Sequence, residues 1–500
     1  MKKTPEAKSY ATEPPFKASL RLNFLVGDVP SLNPHTLPQR RSECLGRCLF
    51  EGLIRLAPNG KYQLAGATDF TISDCQTRYV FTLRSLTYSD GTQVTAYDYE
   101  AAWKQALHPS YPCDRAHLFY IIKNAENAKK GLVGPDAIGV KALDSHHLQV
   151  ELNHPAPYFF ELLSLPLFAP FKGKGDDLVG SGPYIIASRK RDSLLTLKPN
   201  PHFWDASRIA LKQIAISMIP NALTAFDLYK KGVLDWTGDP FGPLPEEVLS
   251  KEKDWKQKEI LQPFWIHLNT QHFPLSSPLI RRALSLAIER DLVSQHIYTG
   301  CTPLFTALPK QISCYDSLPH NLAEAKKLFN QGLKELGLTA ADFPPLTLSC
   351  SSVVRHKRLS EYLKGRWEQV FGIQIHLDVQ EWNTFYNGLK TGNYHIGGCF
   401  VASEYTDPLA LLSNLASPNN FPKWHQPQYQ ELIEQIKQET LTTKRKAFIY
   451  KAEQILEEEM PVISVINLGL TYQHQPHIDN IIFDYSGMPE LSWISPKTTP

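Results

Sequence analysis

Glu404 is the acidic side chain whose place in the sequence best suits ligand binding. It follows an apolar run from Tyr394 to Ala402, which predicts a strand, and it precedes Asp407-Pro408 at the start of a helical segment. Asp407 suits the N-cap position and Pro408 the first helical position. In open α/β sheets, ligands bind at the edge where strands end and helices begin. The sequence therefore predicts a carboxylate at a binding edge; the alternative is a solvated loop acid.

Sequence motifs that would indicate an enzyme are missing. There is no GxSxG elbow, no HExxH, no GxxxxGK phosphate loop and no GxGxxG. The glycine-containing turn from Gly180 to Tyr184 leads into a predicted strand, whereas a phosphate loop needs a helix N-terminus. We therefore expect no catalytic residues and no enzymatic activity.

The eight cysteines do not have the spacing of a metal site. Cys44 and Cys48 are one helical turn apart, but no second pair of ligands lies near them in the sequence. We therefore expect no metal, no cofactor and mostly buried free thiols. Cys301 and Cys314 flank a proline-containing loop and could form a disulfide in an oxidising compartment.

Length and charge exclude several partners. The chain has 500 residues, which suggests two or three domains, and its net charge is +2. This balance gives no reason to expect nucleic acid or an anionic membrane as a partner. The sequence holds no apolar run of about 18 residues that would span a bilayer. The N-terminus begins like a signal peptide without its apolar region, so either a leader has been removed or the chain is cytoplasmic; residues 1–15 are expected to be a disordered tail.

The hydrophobic pattern predicts an α/β fold in two halves. In the first half, strand-like runs such as Tyr79 to Leu83 alternate with helical runs, one of them starting after the N-cap candidate Thr95. The pattern restarts at Phe264 to Thr270, after a charged connector, and continues with a helix predicted over Pro278 to Arg290. Strands mixed with crossover helices are typical of α/β proteins, and the two halves meet near residue 263.

The order of these segments resembles a known family. The chain is similar to the oligopeptide- and dipeptide-binding proteins of ABC importers, solute-binding protein family 5, over nearly everything from residue 20 to about residue 485. The landmarks are VPSLNPH from Val29, LFEGL from Leu49, LTYSDGTQVTAYDYEAAW from Leu86, SGPYII from Ser181, NPHFWD from Asn200, HLNTQHFPLSSPLIRRALSLAIER from His267 and EYTDPLALLSN from Glu404.

The resemblance implies a periplasmic-binding-protein-like fold, with two lobes of mixed sheets joined by a hinge and an extra subdomain in the first lobe. Lobe 1 would comprise residues 16–48, 180–262 and 478–500, and the extra subdomain residues 49–179. Lobe 2 would comprise residues 263–477. A ligand would be enclosed between the lobes by hinge motion.

The resemblance also implies ligand-binding residues. Glu404 occupies the place of an acid that binds the α-ammonium of a peptide, where the family more often has aspartate, and Tyr405 lies beside it. Trp382 matches an aromatic residue that forms one wall of a side-chain pocket, with a core position as the alternative. Asp28 lies where the first loop would meet the peptide.

Recognition of the ligand's carboxyl terminus is less well defined. His356 aligns with a histidine that can face this terminus, and its neighbour Arg355 could do the same; the alternative for both is a solvated helix face. Gly398 stands where some members carry an arginine for this purpose. Peptide length and sequence preference therefore stay open.

The function implied is extracytoplasmic capture of peptides and their delivery to an ABC permease. The protein would be a monomer, periplasmic or lipid-anchored at the cell surface, with peptide and permease subunits as partners. Two alternatives remain: a binder of a non-peptide solute such as glutathione, a metal chelate or haem, and a surface protein or chaperone without a role in transport.

Overall fold

The computed structural model describes residues 18–497, except residues 26, 38–39, 176, 253 and 316–319. The expected tail at residues 1–15 lies outside this range. The β-strands are, in chain order, β1 Ser19–Asn23, β2 Ile54–Leu56, β3 Tyr62–Leu64, β4 Ala67–Ile72, β5 Arg78–Leu83, β6 Leu86–Thr87, β7 Gln93–Val94, β8 Val140–Ala142, β9 His147–Glu151, β10 Tyr184–Lys190, β11 Leu194–Pro199, β12 Gln213–Ser217, β13 Trp236–Gly238, β14 Lys256–Leu268, β15 Thr302–Pro303, β16 Leu346–Ser351, β17 Ile375–Gln380, β18 Ile396–Phe400, β19 Val462–His474, β20 Ile478–Asp479 and β21 Ser495–Pro496.

Helices separate most of these strands. The α-helices are α1 Arg40–Leu49, α2 Ala96–Ala106, α3 Ala125–Lys129, α4 Phe159–Leu163, α5 Ala222–Lys230, α6 Glu246–Lys251, α7 Pro278–Leu286, α8 Arg290–His296, α9 Leu322–Leu336, α10 Val354–Phe371, α11 Trp382–Thr391, α12 Leu409–Ala416, α13 Pro427–Gln438 and α14 Thr442–Glu459. Short 3-10 helices occur at Pro34–Thr36, Ala116–Ile121, Pro135–Ala137, Pro166–Phe168 and Ala206–Arg208.

The first sheet is mixed and has four strands in the order β1-β12-β11-β10. β1 runs parallel to β12, whereas β11 is antiparallel to both of its neighbours. The alternating apolar side chains of these strands are fully buried, for example Leu20, Leu22, Ile214 and Ile216. A separate antiparallel sheet, in the order β4-β5-β9-β8, lies in the chain between β1 and β10.

The second large sheet is also mixed and has seven strands. Its order is β13-β19-β14-β18-β16-β17, with β15 also paired to β19. β16 is parallel to β17 and β18, and β14 is antiparallel to β18 and β19. This sheet presents the C-terminal ends of β16 and β17 next to each other, just before α10 and α11.

Two strands of 13 residues, β14 and β19, connect the two large sheets. At one end Lys256 pairs with Tyr472, close to β13, and at the other His267 pairs with Val462. β13 in turn lies beside β1, where the backbone amide of Arg21 donates to the Asp235 carboxylate at 2.7 Å. A shift in the pairing register between Glu259 and Pro263 marks the middle of this connection.

Local sequence signals explain where several helices begin. Thr95 and Asp98 form a capping box at the start of α2, whose residues Tyr99, Trp103 and Ala106 are fully buried as predicted. The helix predicted over Pro278 to Arg290 instead ends at Leu286, and α8 starts at Arg290. Arg290 turns inward and donates to the carbonyls of Ser464 and Ser285. The spacing of apolar residues does not register a buried arginine, so it did not reveal the break between α7 and α8.

Candidate functional site

A cavity of about 860 Å³ lies between the segment 117–162 and the second large sheet with its helices. This volume is in the range of sites that bind small molecules and short peptides. Aromatic rings and neutral polar groups dominate its lining, including His117, Tyr120, His154 and Tyr158 on one side and Trp265, His267, Trp382, Tyr386, Cys399, Tyr405 and Phe421 on the other.

Glu404 lies in the lining of this cavity, four residues after β18 ends. Its Oε2 accepts a hydrogen bond from Arg115 Nη2 at 2.6 Å, and its side chain is 34% exposed. Arg115 Nη1 donates at the same time to Glu43 of α1. Two carboxylates therefore share one guanidinium, and this group of three side chains has a net charge of −1.

The two residues after Glu404 also contact the segment across the cavity. The rings of Tyr405 and Tyr158 stack, with centroids 4.0 Å apart and planes at 7°. The backbone amide and hydroxyl of Thr406 donate to Glu161 Oε2 at 3.0 and 2.7 Å. Glu404, Tyr405 and Thr406 are thus held by side chains from residues 115–161. Burial of the Tyr405 phenol raises its pKa well above the usual value.

Asp407 has a structural role at the start of α12. Its Oδ1 accepts from the backbone amide of Leu409, the first residue of α12, at 3.0 Å, although the N-cap position itself is occupied by Pro408 and not by Asp407 as predicted. Both of its oxygens also accept from the Arg445 guanidinium, at 2.7 and 2.8 Å, and both side chains are largely buried. This bidentate pair holds the loop that carries Glu404.

Trp382 lines the cavity and is 39% exposed. It is the first residue of α11, where the Glu381 carboxylate accepts from the backbone amides of the first turn. Its ring stacks on Tyr386, one turn further along the helix, at 5.6 Å and 13°. Trp382 and Tyr386 therefore offer a rigid apolar wall to a ligand side chain.

His356 and Arg355 do not belong to the residues that line the cavity. His356 is buried behind Trp382 and Phe400, and its Nδ1 lies 2.6 Å from Ser351 Oγ. Burial lowers the pKa of His356 to about 4, so the imidazole is neutral at pH 7. Arg355 Nε lies 3.7 Å from Glu246 Oε1 at the N-terminus of α6.

Asp28 and Gly398 are also not among the residues that line the cavity. The Asp28 carboxylate lies 3.1 Å from Arg189 Nη2 and accepts from the amide of Val29 at 2.7 Å. Gly398 is buried in β18, where a Cβ atom would lie 2.6 Å from the ring of Phe264. An arginine at this position would therefore require Phe264 to move.

Three histidines line the cavity that the sequence analysis did not single out. His117 and His154 line the cavity from the segment 117–162, and burial lowers the pKa of both. His267 lies on β14 with its Nε2 3.7 Å from Cys399 Sγ, and burial lowers its pKa to about 3. The alternation of Trp265 and His267 in FWIHLNT was the available signal, because residues two apart in a strand share a face.

The thiols and the acidic groups do not form a metal centre in the described part of the chain. All eight cysteines are free, including Cys301 and Cys314. Among the described residues, no group of three or more histidine, cysteine, aspartate or glutamate side chains could hold a metal ion. The helices within the same ranges are each too short or too polar to cross a membrane.

Comparison with known proteins identifies the family. Residues 61–423 match the family described as "Bacterial extracellular solute-binding proteins, family 5 Middle", and the chain belongs to this family. The oligopeptide-binding protein OppA of Bacillus subtilis is 31% identical over 94% of this chain and 92% of its own length. The probable deoxycholate-binding periplasmic protein YgiS of Escherichia coli is 26% identical over 90% of this chain and 88% of its own length.

Solved structures show the fold. The unliganded open form of the murein tripeptide-binding protein MppA superimposes with a TM-score of 0.81 at 24% identity, covering 96% of this chain and 97% of MppA. Haemophilus influenzae OppA in complex with RPPGFSPFR gives a TM-score of 0.77 at 22% identity, covering 96% and 99%. The two-lobed periplasmic-binding-protein fold expected from the sequence is confirmed.

Proposed function

We propose that this protein captures peptides in the cavity beside Glu404 and delivers them to an ABC permease. The relatives with the family's fold are named for oligopeptides, dipeptides and a murein peptide. The observation that carries the proposal for this chain is the carboxylate of Glu404 in an aromatic cavity. A carboxylate in such surroundings forms a strong charge-assisted hydrogen bond with an ammonium group.

The charge of the site favours a ligand with a free amino end. Glu43, Arg115 and Glu404 together carry a net charge of −1, which one α-ammonium would neutralise. The histidines of the lining are neutral at pH 7, because burial lowers their pKa. An anionic solute such as deoxycholate would meet the same negative charge, which disfavours it at this position.

Side-chain selection would depend on the aromatic part of the cavity. Trp382 and Tyr386 offer a flat apolar wall, and Tyr405 stacked on Tyr158 offers another. The volume of about 860 Å³ leaves room for water around a ligand side chain. Ordered water adapts a site to different sequences, which suits a protein that must accept many peptides.

We further propose the domain division expected from the sequence: lobe 1 as residues 16–48, 180–262 and 478–500, the extra subdomain as 49–179, and lobe 2 as 263–477. The run of the chain through β14 and β19 supports hinge strands between the lobes. The protein would act without catalysis, as a monomer with permease subunits as its partner, in the periplasm or lipid-anchored at the cell surface.

Native mass spectrometry of the protein with random-sequence pentapeptides tests the proposal. We expect complexes whose added masses match the peptides, and we expect that they survive competition by deoxycholate. Failure to retain any peptide at millimolar concentration would overturn the proposed function. Retention of deoxycholate with displacement of all peptides would assign the cavity to an anionic amphipathic solute.

A further inference from the structure

Arg115 binds the side chain of Glu404 directly. Its Nη2 donates to Glu404 Oε2 at 2.6 Å, and its Nη1 donates to Glu43. We propose that Arg115 is a positioning residue that holds the Glu404 carboxylate ready for the ammonium of a ligand. This inference rests on the proposed function and adds a determinant of its specificity.

The geometry leaves one part of the carboxylate for a ligand. Glu404 lines the cavity and is 34% exposed, whereas Arg115 is 21% exposed and Glu43 only 9%. The guanidinium donates to Oε2, and Arg115 is not among the residues that line the cavity. Within the part of the chain that the structure describes, no donor contacts the second oxygen, so Oε1 remains for a donor arriving from the cavity.

Fixing Glu404 before the ligand arrives improves affinity. A glutamate side chain has one more rotatable bond than the aspartate that the family more often carries at this place. Ordering a rotamer-rich side chain on binding weakens association by an amount that corresponds to about threefold to tenfold in affinity. In this structure the Arg115 guanidinium has already ordered Glu404, so that cost does not fall on the binding step.

The backbone of the anchor is held by the same region. Tyr405 stacks on Tyr158, and Thr406 donates to Glu161, so both residues that follow Glu404 are fixed from the segment 117–162, which begins two residues after Arg115. Glu43 of α1 neutralises the guanidinium from a third part of the chain. Arg115 therefore positions Glu404 without cancelling the negative charge that attracts an ammonium.

Substitutions separate positioning from simple charge. Arg115→Met gives the group a net charge of −2, Glu43→Gln gives 0, and the double substitution restores −1 without the guanidinium. Titration calorimetry would measure the affinity of each variant for random-sequence pentapeptides with free and with acetylated amino ends. Arg115→Lys tests rescue by a retained charge, and Arg78→Met, at a side chain that is 60% exposed on β5, is the matched control.

We expect Arg115→Met to bind free peptides about tenfold more weakly than the wild type, although its site is more negative. Acetylated peptides should be little affected, so the preference for a free amino end should fall by the same factor. The double variant should be as weak as Arg115→Met, Arg115→Lys should lie between it and the wild type, and Arg78→Met should match the wild type.

Two results would overturn the inference while leaving peptide binding intact. Equal or tighter binding of free peptides by Arg115→Met would mean that the guanidinium competes with the ligand. Full affinity in the double variant would mean that net charge alone matters. If Arg115→Met does not fold, as judged by circular dichroism, Arg115→Lys decides: undiminished affinity and preference contradict positioning. Absence of binding by the wild type would instead overturn the proposed function.

Discussion

Glu404 carries its carboxylate one methylene further from the backbone than an aspartate would. Its Oε2 lies 2.6 Å from Nη2 of Arg115, a residue outside the cavity lining. The same side chain therefore contacts both the protein and the cavity. At the scale of single residues, Glu404 therefore does not act as an isolated acid, because it is paired with Arg115.

Glu404→Gln should weaken the binding of peptides with a free amino end by about tenfold to a hundredfold. A hydrogen bond to a charged group contributes roughly 1.5–3 kcal/mol, and the neutral amide would lose the charge-assisted part. Titration calorimetry with free and acetylated peptides measures this, with Glu431→Gln on the exposed face of α13 as control. Equal affinities of wild type and Glu404→Gln for both peptide forms would show that Glu404 does not bind the amino terminus of the peptide.

The residues predicted to bind the ligand differ in whether they line the cavity, for a physical reason. Glu404, Tyr405 and Trp382 line the cavity because each lies at the end of a strand or the start of a helix, which local patterns reveal. Arg355 and Asp28 face Glu246 and Arg189 instead. These partners are more than 100 residues away in the sequence, so no local pattern indicates them.

At the scale of secondary structure, α12 depends on a buried ion pair. Asp407 accepts from the amide of Leu409 at the helix start and binds Arg445 of α14 through both oxygens. Pro408, expected to be the first helical residue, is the residue immediately before α12. The capping signal in the sequence therefore placed the helix start one residue too early, whereas the ion pair with α14 required the fold.

Asp407→Ala should destabilise the protein by about 3–5 kcal/mol. The substitution removes one partner of a buried pair and leaves the Arg445 guanidinium without its carboxylate in a largely dehydrated position. Denaturant unfolding followed by tryptophan fluorescence measures the loss, and Asp227→Ala on the exposed face of α5 is the control. A change of less than about 1 kcal/mol, the range of an exposed pair, would contradict this role.

At the scale of the whole molecule, several histidines are buried in neutral form. His35, at 1% exposure, is surrounded by the rings of Tyr111, Phe119 and Phe171. Burial, with a smaller contribution from the charge of Lys129, lowers the pKa of His35 to about 3. Such groups make the free energy of unfolding depend on pH.

Replacing His35 should make the protein more resistant to acid. Between pH 6.5 and about 3 the unfolded chain protonates this histidine and the folded chain does not, so the wild type loses stability as the pH falls through this window. His35→Phe keeps an aromatic ring and removes the titration, so its stability relative to the wild type should rise from pH 7 to pH 4. Denaturant unfolding at several pH values measures this. His146→Phe, at an exposed position, should run parallel to the wild type, and so would His35→Phe if burial of His35 were unimportant.

Closure of the two lobes on a peptide is the last expected outcome. The chain passes between the two large sheets along β14 and β19, whose pairing register shifts between Glu259 and Pro263. Because few strands connect the two sheets, hinge motion between them is possible. A ligand that contacts both sides favours the closed form. Small-angle X-ray scattering should therefore show a lower radius of gyration in the presence of saturating pentapeptides than in their absence. A compact chain of this length has a radius of gyration of about 23 Å. Glu404→Gln should need more peptide for the same decrease. An unchanged scattering curve for wild type, at concentrations where calorimetry shows saturation, would mean that the peptide binds without hinge closure.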